Sequence, residues 1–433
     1  MNLSKEPRIP PPEFPHGGPS SKSPQQCQDP SILDLFNLQS KPGDQRHDLE
    51  RERVLHEIDR RHGRWNNKHP RWSILEALHG YDRYREIAGA EIDRFEGLYK
   101  HVAKEHKKIL ESTITYSKNF DITRSLLDRN TLLTQAVVEN ALSYYDISRP
   151  ELDAFIADFE AGQDQKAKDN KFKMLRTHTS HALKHMVRDW SVEGHAEREA
   201  TFPYILQAVA EHLHENSDEE YRVLVPGAGL GKLGHDLALL DPARMEITLN
   251  EKDEFMNLAY RYITSPSATQ QTLHPFLETW SHARTRADIL RPITLLPPPP
   301  RNVLLHAGDF THLPPTPLYS AIATLFFIDT ARDLVAYLTH IHSLLEPGGI
   351  WINAGPLLYG SAPFVQLTLE EVVAVAEAVG FSVERRREAE VVYNFNGTVL
   401  LRNGFVVEFW VGRKMGEGER GRTEGKRKGW IGW

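Results

Sequence analysis

Three glycines and a carboxylate carry the first chemical signal in this chain. Gly227, Gly229 and Gly231 follow the apolar run Val223–Val225 in the string YRVLVPGAGLG, and Glu251 closes a second apolar run, Ile247–Leu249, twenty residues after the last glycine. A strand, a tight glycine turn, a helix, a second strand and an acid form the order by which an open α/β sheet holds a nucleoside at the carboxyl ends of its strands. The acid then accepts hydrogen bonds from ribose hydroxyls. The spacing narrows the choice. A dinucleotide site reads G-x-G-x-x-G, and counting from Gly227 the sixth position is Lys232, a long cation where close helix packing needs glycine. The G-x-G-x-G found here is more usual for S-adenosylmethionine. The plain alternative is a tight turn in an unrelated α/β domain.

Further acids end other apolar runs. Asp309 and Phe310 follow Val303–Leu305; an acid there can bond an adenine amino group and the aromatic can stack on the base. The competing reading is an Asp that caps a turn. Asp329 ends AIATLFFID, a run as continuous as a central strand buried on both faces requires. It faces a cleft or caps the helix marked by Leu334, Leu338, Ile341 and Leu344. The string LEPGGIWINAGPLLY stops that helix and starts another strand at Ile350. Upstream, His185 and Arg188 lie three apart and share a helix face, where a cation can bond a cofactor carboxylate. Otherwise Met186 and Trp190 pack inward and Arg188 is simply solvated.

Those residues need elements to position them. Residues 1–47 are rich in Pro, Ser, Gln and Gly and predict a disordered tail, and 415–433 predict a second, basic one. Residues 48–165 predict an α-helical N-terminal region. It contains a polar helix over 48–66, a long helix marked by Ile87, Ile92, Phe95, Leu98 and Val102, and another marked by Leu126, Leu132, Leu133, Val137, Val138 and Leu142. A polar hinge is expected at 160–172. Residues 166–414 alternate helices (178–190, 197–214, 231–240) with strands (222–225, 246–249, 303–305, 321–327, 349–353), the pattern of a mostly parallel α/β sheet. The prolines of 290–300 predict a loop. The runs Val391–Tyr393 and Phe405–Val411 predict an antiparallel pair at the sheet edge.

Composition excludes some classes. At 433 residues the chain is long enough for two folded parts with tails. The net charge of −7 gives no case for nucleic-acid binding. The single cysteine, Cys27, leaves no internal disulfide framework and no cysteine zinc site, and the 21 histidines are scattered, so no metal site is expected. No run reaches the roughly 20 apolar residues that span a bilayer, and no signal peptide is evident, so a soluble cytoplasmic protein is expected, with the nucleus as a further location. The basic cluster Lys426–Lys428 is more often a solvated tail than a localisation signal.

Taken together, VRDWSVEGHAER (187–198), RVLVPGAGLGKL (222–233), LNEKDEFM (249–256), AGDF (307–310), FFIDTARD (326–333) and LLEPGGIWINAGPLLY (344–359) resemble the N2227-like methyltransferases. The resemblance implies a class I, Rossmann-like methyltransferase fold, S-adenosylmethionine as cofactor, and methyl transfer to an imidazole nitrogen of a histidine-containing dipeptide, carnosine to anserine. It also implies a homodimer. Gly227, Gly229, Gly231, His185 (Gln in the family) and Arg188 would line the cofactor's amino-acid end, Glu251 its ribose, Asp309 and Phe310 its adenine, and Ala321 a further wall. Asp329 would be catalytic and hold the imidazole, with Tyr359, Gly360 and Phe405 on the acceptor side. At Gly360 the family has a His, and at Asn403–Phe405 it has closely spaced tyrosines, so the acceptor half departs from the family pattern. Another imidazole or amine acceptor, a protein side chain, or a non-catalytic binding role on this fold are the alternatives.

Overall fold

The computed structural model describes residues 45–416 except 162–164, 217–219, 267, 269–270, 297, 299–301, 361 and 394–395. The expectations for the two tails, Cys27 and Lys426–Lys428 fall outside these residues, apart from 45–47, which are helical, and 415–416. Helices α1 (Gln45–Glu57), α2 (Pro70–Asp82), α3 (Tyr84–Tyr99), α4 (Lys104–Ile114), α5 (Lys118–Tyr144) and α6 (Arg149–Glu160) come first. They are succeeded by α7 (Gln165–Trp190), α8 (His195–Glu199) and α9 (Phe202–Glu215). The alternating part runs β1 (Tyr221–Pro226), α10 (Lys232–Leu237), β2 (Met245–Glu251), α11 (Glu254–Ile263), β3 (Gln271–Leu273), α12 (Arg286–Leu290), β4 (Ile293–Leu295) and β5 (Val303–Ala307). It ends with β6 (Tyr319–Leu325), α13 (Leu334–Leu344), β7 (Leu345–Gly355), α14 (Leu369–Val379), β8 (Phe381–Val392) and β9 (Gly404–Lys414).

The main sheet has the order β5-β2-β1-β6-β7-β9-β8. Strands β5, β2, β1, β6 and β7 are parallel, and β9 is antiparallel to both β7 and β8. This is the sheet of a class I methyltransferase. From β1 the chain proceeds to β2 and β5 on one side, and later to β6 and β7 on the other. The strand order therefore reverses between β1 and β6, where an open α/β sheet places its ligand crevice.

Strand alternation builds two cores. Val223 and Val225 of β1 face one side and Leu224 the other; Ala321 and Ala323 oppose Ile322 in β6, and Ile350 and Ile352 oppose Trp351 in β7. The N-terminal helices, α7, α9 and α11 cover the first side in one continuous apolar cluster. Helices α13 and α14 cover the second with Trp351, Trp410 and Phe381. Because both faces are covered, Val223–Val225 of β1 and Ala321–Ala323 of β6 read as unbroken apolar runs.

Four local expectations are corrected. Helix α7 begins at Gln165, so most of the hinge drawn at 160–172 is helical. The loop at 290–300 contains β4, because Ile293–Leu295 between Pro292 and Pro297 keep free N–H groups and pair antiparallel with β3. The helix expected over 197–214 is two, since Pro203 cannot sit in a helix interior and instead opens α9 in its first turn. Leu132 is 72% exposed, and its neighbour Leu133 takes the buried position on α5.

The last glycine of the turn leaves no room for a side chain. Gly231 has φ of 76° and precedes α10. A Cβ there meets Leu249 Cδ1 at 2.5 Å and Tyr260 Cε2 at 2.6 Å. Left-handed strain and overpacking together should make Gly231→Ala cost about 2–5 kcal/mol, read from urea unfolding.

Candidate active site

The carboxylate of Glu251 joins the ends of β1 and β2. Its Oε2 accepts the Gly229 N–H at 2.8 Å, and its Oε1 accepts the N–H groups of Lys252 at 2.8 Å and Asp253 at 2.9 Å. Burial raises its carboxyl above the usual range; the amides of Asp253, Gly229 and Lys252 oppose that shift but do not cancel it. Oε2 accepts this one backbone bond and keeps a lone pair for a hydroxyl donor. Gly227 and Gly229 take φ values of 62° and 56°, open to glycine and strained for other residues. A Cβ at Gly227 meets Phe327 Cδ2 at 2.4 Å, which presses β6's end against the turn.

Helix α7 closes the turn from the other side. Trp190 is buried and its Nε1 donates to the Leu230 carbonyl at 2.9 Å, fixing α7 to the glycine turn. One turn back, Arg188 Nη2 and His185 Nδ1 lie 3.4 and 3.5 Å from the position of a Gly229 Cβ. Arg188 is mostly buried and paired rather than simply solvated. Its Nε donates to Asp189 Oδ1 at 2.6 Å and its Nη1 to the Tyr393 hydroxyl at 3.4 Å. His185 Nε2 stands 3.1 Å from His181 Nε2. Burial, then Arg188 and His181 beside it, hold the His185 imidazole well below its usual range, so it is neutral at pH 7.

The third wall is β5's end. Asn250 Nδ2 donates to the carbonyls of His306 at 3.2 Å and Gly308 at 2.9 Å, and the Gly308 N–H donates to the Glu251 carbonyl at 2.8 Å. Asp309 both caps a turn and faces a cation: Oδ1 accepts the Thr311 N–H at 3.0 Å and Oδ2 accepts Lys252 Nζ at 2.7 Å. Burial alone would raise its carboxyl, but Lys252 and Thr311 outweigh it and hold it at about 2. Phe310 corrects the stacking expected of it. Its ring is buried edge-on among Phe327, Tyr337 and His340, with centroids 5.4, 5.2 and 4.9 Å away. Ala321 is a second correction. It pairs with Val223 and Ile350 in the sheet interior and is fully buried, four residues before β6 ends, so it does not reach the cleft.

Across the strand reversal, Asp329 sits in a short 3-10 turn (Ile328–Thr330) just beyond β6 and is 6% exposed. It is not the cap of α13; Asp333 is, its side chain accepting the Ala336 N–H at 3.1 Å. Asp329 Oδ2 instead accepts the Leu358 N–H at 2.8 Å, which tethers the segment after β7. Burial raises its carboxyl above the usual range against the amides of Leu358 and Asp329 itself. Tyr359 spends its hydroxyl on Leu367, donating to the carbonyl at 2.7 Å and accepting the N–H at 3.1 Å. A Cβ at Gly360 meets no described atom within 4 Å. Phe405 packs with Phe326 and Tyr393, centroids 6.0 and 6.3 Å away.

Sequence reasoning missed Asn250, Asp189, Phe326 and Tyr393. Asn250 directly precedes Glu251, and Asp189 directly follows Arg188. Tyr393 could have been found from the antiparallel hairpin, which returns its tip to the carboxyl edge. Phe326 is legible only in the backbone, where φ is 49°. Among the described residues no group of three or more His, Cys, Asp or Glu could hold a metal ion, and no helix is long and apolar enough to cross a membrane.

The sequence pattern of the carnosine N-methyltransferase family matches residues 163–416. The chain is similar to carnosine N-methyltransferase of Mus musculus, 28% identical over 364 residues, 79% of this chain and 85% of that one. The protein of Schizosaccharomyces pombe with the same description is 28% identical over 371 residues, 78% of this chain and 95% of that one. Carnosine N-methyltransferase unmet of Drosophila melanogaster is 31% identical over 275 residues, 59% of either chain. Solved structures are more distant. N-methyltransferase NodS from Bradyrhizobium japonicum, in complex with S-adenosyl-L-homocysteine, is 12% identical with a TM-score of 0.31, over 55% of this chain and 98% of that one, and carries no weight beside the family match.

The two acids after β6 should separate cleanly. Asp333→Ala should cost about 0.5–2 kcal/mol as a lost helix cap. Asp329→Asn should leave amide-exchange protection in α13 unchanged.

Proposed function

Since this chain belongs to the carnosine N-methyltransferase family and is a methyltransferase by fold and family, we propose that it moves a methyl group from S-adenosylmethionine to an imidazole nitrogen. The observation that supports this reading is the meeting, across the β1–β6 reversal, of the Glu251-bound glycine turn and the buried Asp329. The residues fit the cofactor. Gly229, at positive φ, keeps a side chain out of the space before Arg188 and His185, Glu251 has a lone pair for the ribose, and Arg188 carries the charge that suits the cofactor's carboxylate. When bound, the cofactor supplies an electrophilic methyl on sulfonium sulfur.

The protein's own part is position, water exclusion and one proton contact. The attacking ring nitrogen of the acceptor must be unprotonated. Asp329 accepts the N–H of the other nitrogen, which fixes the tautomer and stabilises the imidazolium as it forms, much as the aspartate of a serine-protease triad does. One of its oxygens is held by Leu358, so the carboxylate is oriented before the acceptor arrives. Turnover needs an ionised Asp329 and a neutral imidazole. Both requirements are lost in the same direction, since a falling pH protonates the imidazole, near 6.5 when unperturbed, and also the carboxyl that burial raises. Activity should therefore fall as pH drops through the acceptor's own range.

A second reading concerns what the imidazole is attached to. Tyr359 has spent its hydroxyl, Gly360 offers no side chain and Phe405 no hydroxyl, so among these described residues the far end of a dipeptide meets few polar partners. This favours an acceptor whose imidazole is recognised and whose remainder differs from carnosine. A methylation assay with labelled cofactor across carnosine, anserine, free histidine and histidine peptides tests both readings. In that assay Asp329→Asn should lose about 10²–10⁴ in turnover while adenosylhomocysteine binding stays within twofold of the unaltered protein. Equal loss of both would make Asp329 structural, and no transfer to any imidazole would remove the proposal.

A further inference from the structure

Helix α1 lies outside residues 163–416, the stretch the family pattern matches. It nevertheless reaches the cleft's outer wall. Strand β5 is last in the parallel set, and among the described residues no strand lies on its outer side. Such an edge presents unpaired N–H and C=O groups. At Ala307, the last residue of β5, helix α1 satisfies both. The Ala307 N–H donates to Glu50 Oε1 at 3.0 Å, and Arg53 Nη2 donates to the Ala307 carbonyl at 2.7 Å. Glu50 and Arg53 are bonded to each other twice, at 2.8 and 2.7 Å. His306 Nδ1 lies 3.1 Å from Glu50 Oε2, and the Glu50 side chain is 4% exposed. Arg46, at the helix start, donates to Asn302 Oδ1 at 3.0 Å, so α1 holds β5 at both ends.

The cleft begins directly after Ala307. Gly308 bonds Glu251's carbonyl, and Asp309 faces Lys252. We propose that Glu50 and Arg53 form a clamp that positions the Ala307–Asp309 wall and so sets cofactor affinity from outside the family-matched region. The inference rests on the cofactor placement proposed above. Both are positioning residues acting through Ala307. Burial would raise the Glu50 carboxyl, but Arg53 and His306 outweigh it and hold it at about 2, so the clamp stays charged across the neutral range. Removing the Glu50 carboxylate takes the acceptor from the Ala307 N–H and frees Arg53 to turn toward Glu57, which its Nη1 already bonds at 2.6 Å. The strand end then opens locally, and a cleft that is competent only part of the time binds more weakly by that fraction.

The experiment compares unaltered protein with Glu50→Ala and Glu50→Gln by adenosylhomocysteine calorimetry, amide exchange and methyl-transfer kinetics. Glu50→Ala should weaken binding by about tenfold or more, raise KM for the cofactor while kcat stays within twofold, and speed exchange at Ala307 but not at Val223–Val225. Glu50→Gln still accepts the Ala307 N–H and should fall between the two. Unchanged affinity in Glu50→Ala overturns the clamp, as does faster exchange across the whole sheet or a fall in kcat alone. If the unaltered protein itself failed to bind adenosylhomocysteine, the cofactor placement would fall and take the clamp with it.

Discussion

A largely buried carboxylate bound by three backbone N–H groups is the constraint on which the rest of the site depends. Glu251 is expensive to bury, and it is stable there because Gly229, Lys252 and Asp253 all donate to it. Hydrogen bonds to a charged group each contribute about 1.5–3 kcal/mol net. Together they fix the end of β2 to the turn after β1. That turn then fixes α7, because Leu230 holds Trp190, and α7 delivers Arg188 and His185 to Gly229. Asn250, one residue earlier, fixes the end of β5 in the same way.

The two halves of the cleft are built differently. On the side of β5, β2 and β1, side chains bond backbone, so the walls are held by main-chain groups that cannot change rotamer. On the side of β6 and β7, Asp329 holds Leu358, Tyr359 holds Leu367 and Arg332 donates to the Ala362 carbonyl at 3.3 Å, while a Cβ at Gly360 meets no described atom within 4 Å. The polar groups there face inward, as Tyr359 does toward Leu367.

The parallel strands were legible because a strand buried on both faces is apolar through its middle, as Val223–Val225 and Ala321–Ala323 are. Glycine spacing and the acids at strand ends were legible because turn geometry and charge placement leave few residue choices. The face of α5 was misread at Leu132 because one residue of rotation separates it from Leu133. The short β4 was hidden by its prolines. The resemblance puts Ala321 against the cofactor, whereas its register with Val223 puts it inside the sheet. Phe310 was taken for a stacking ring because an aromatic beside a strand-end acid reads the same whether it turns inward or outward. The contacts that join α1 to β5 lie 257 residues apart in the chain, beyond the reach of any local signal.

The central claim is that the Glu251 carboxylate holds the ribose of a sulfonium nucleoside against the glycine turn. The most direct measurement is calorimetric affinity for adenosylhomocysteine beside its analogue lacking both ribose hydroxyls, on unaltered protein. Loss of hydrogen bonds to a charged acceptor should weaken the analogue by about 10- to 100-fold. Equal affinity for the two ligands would contradict the claim.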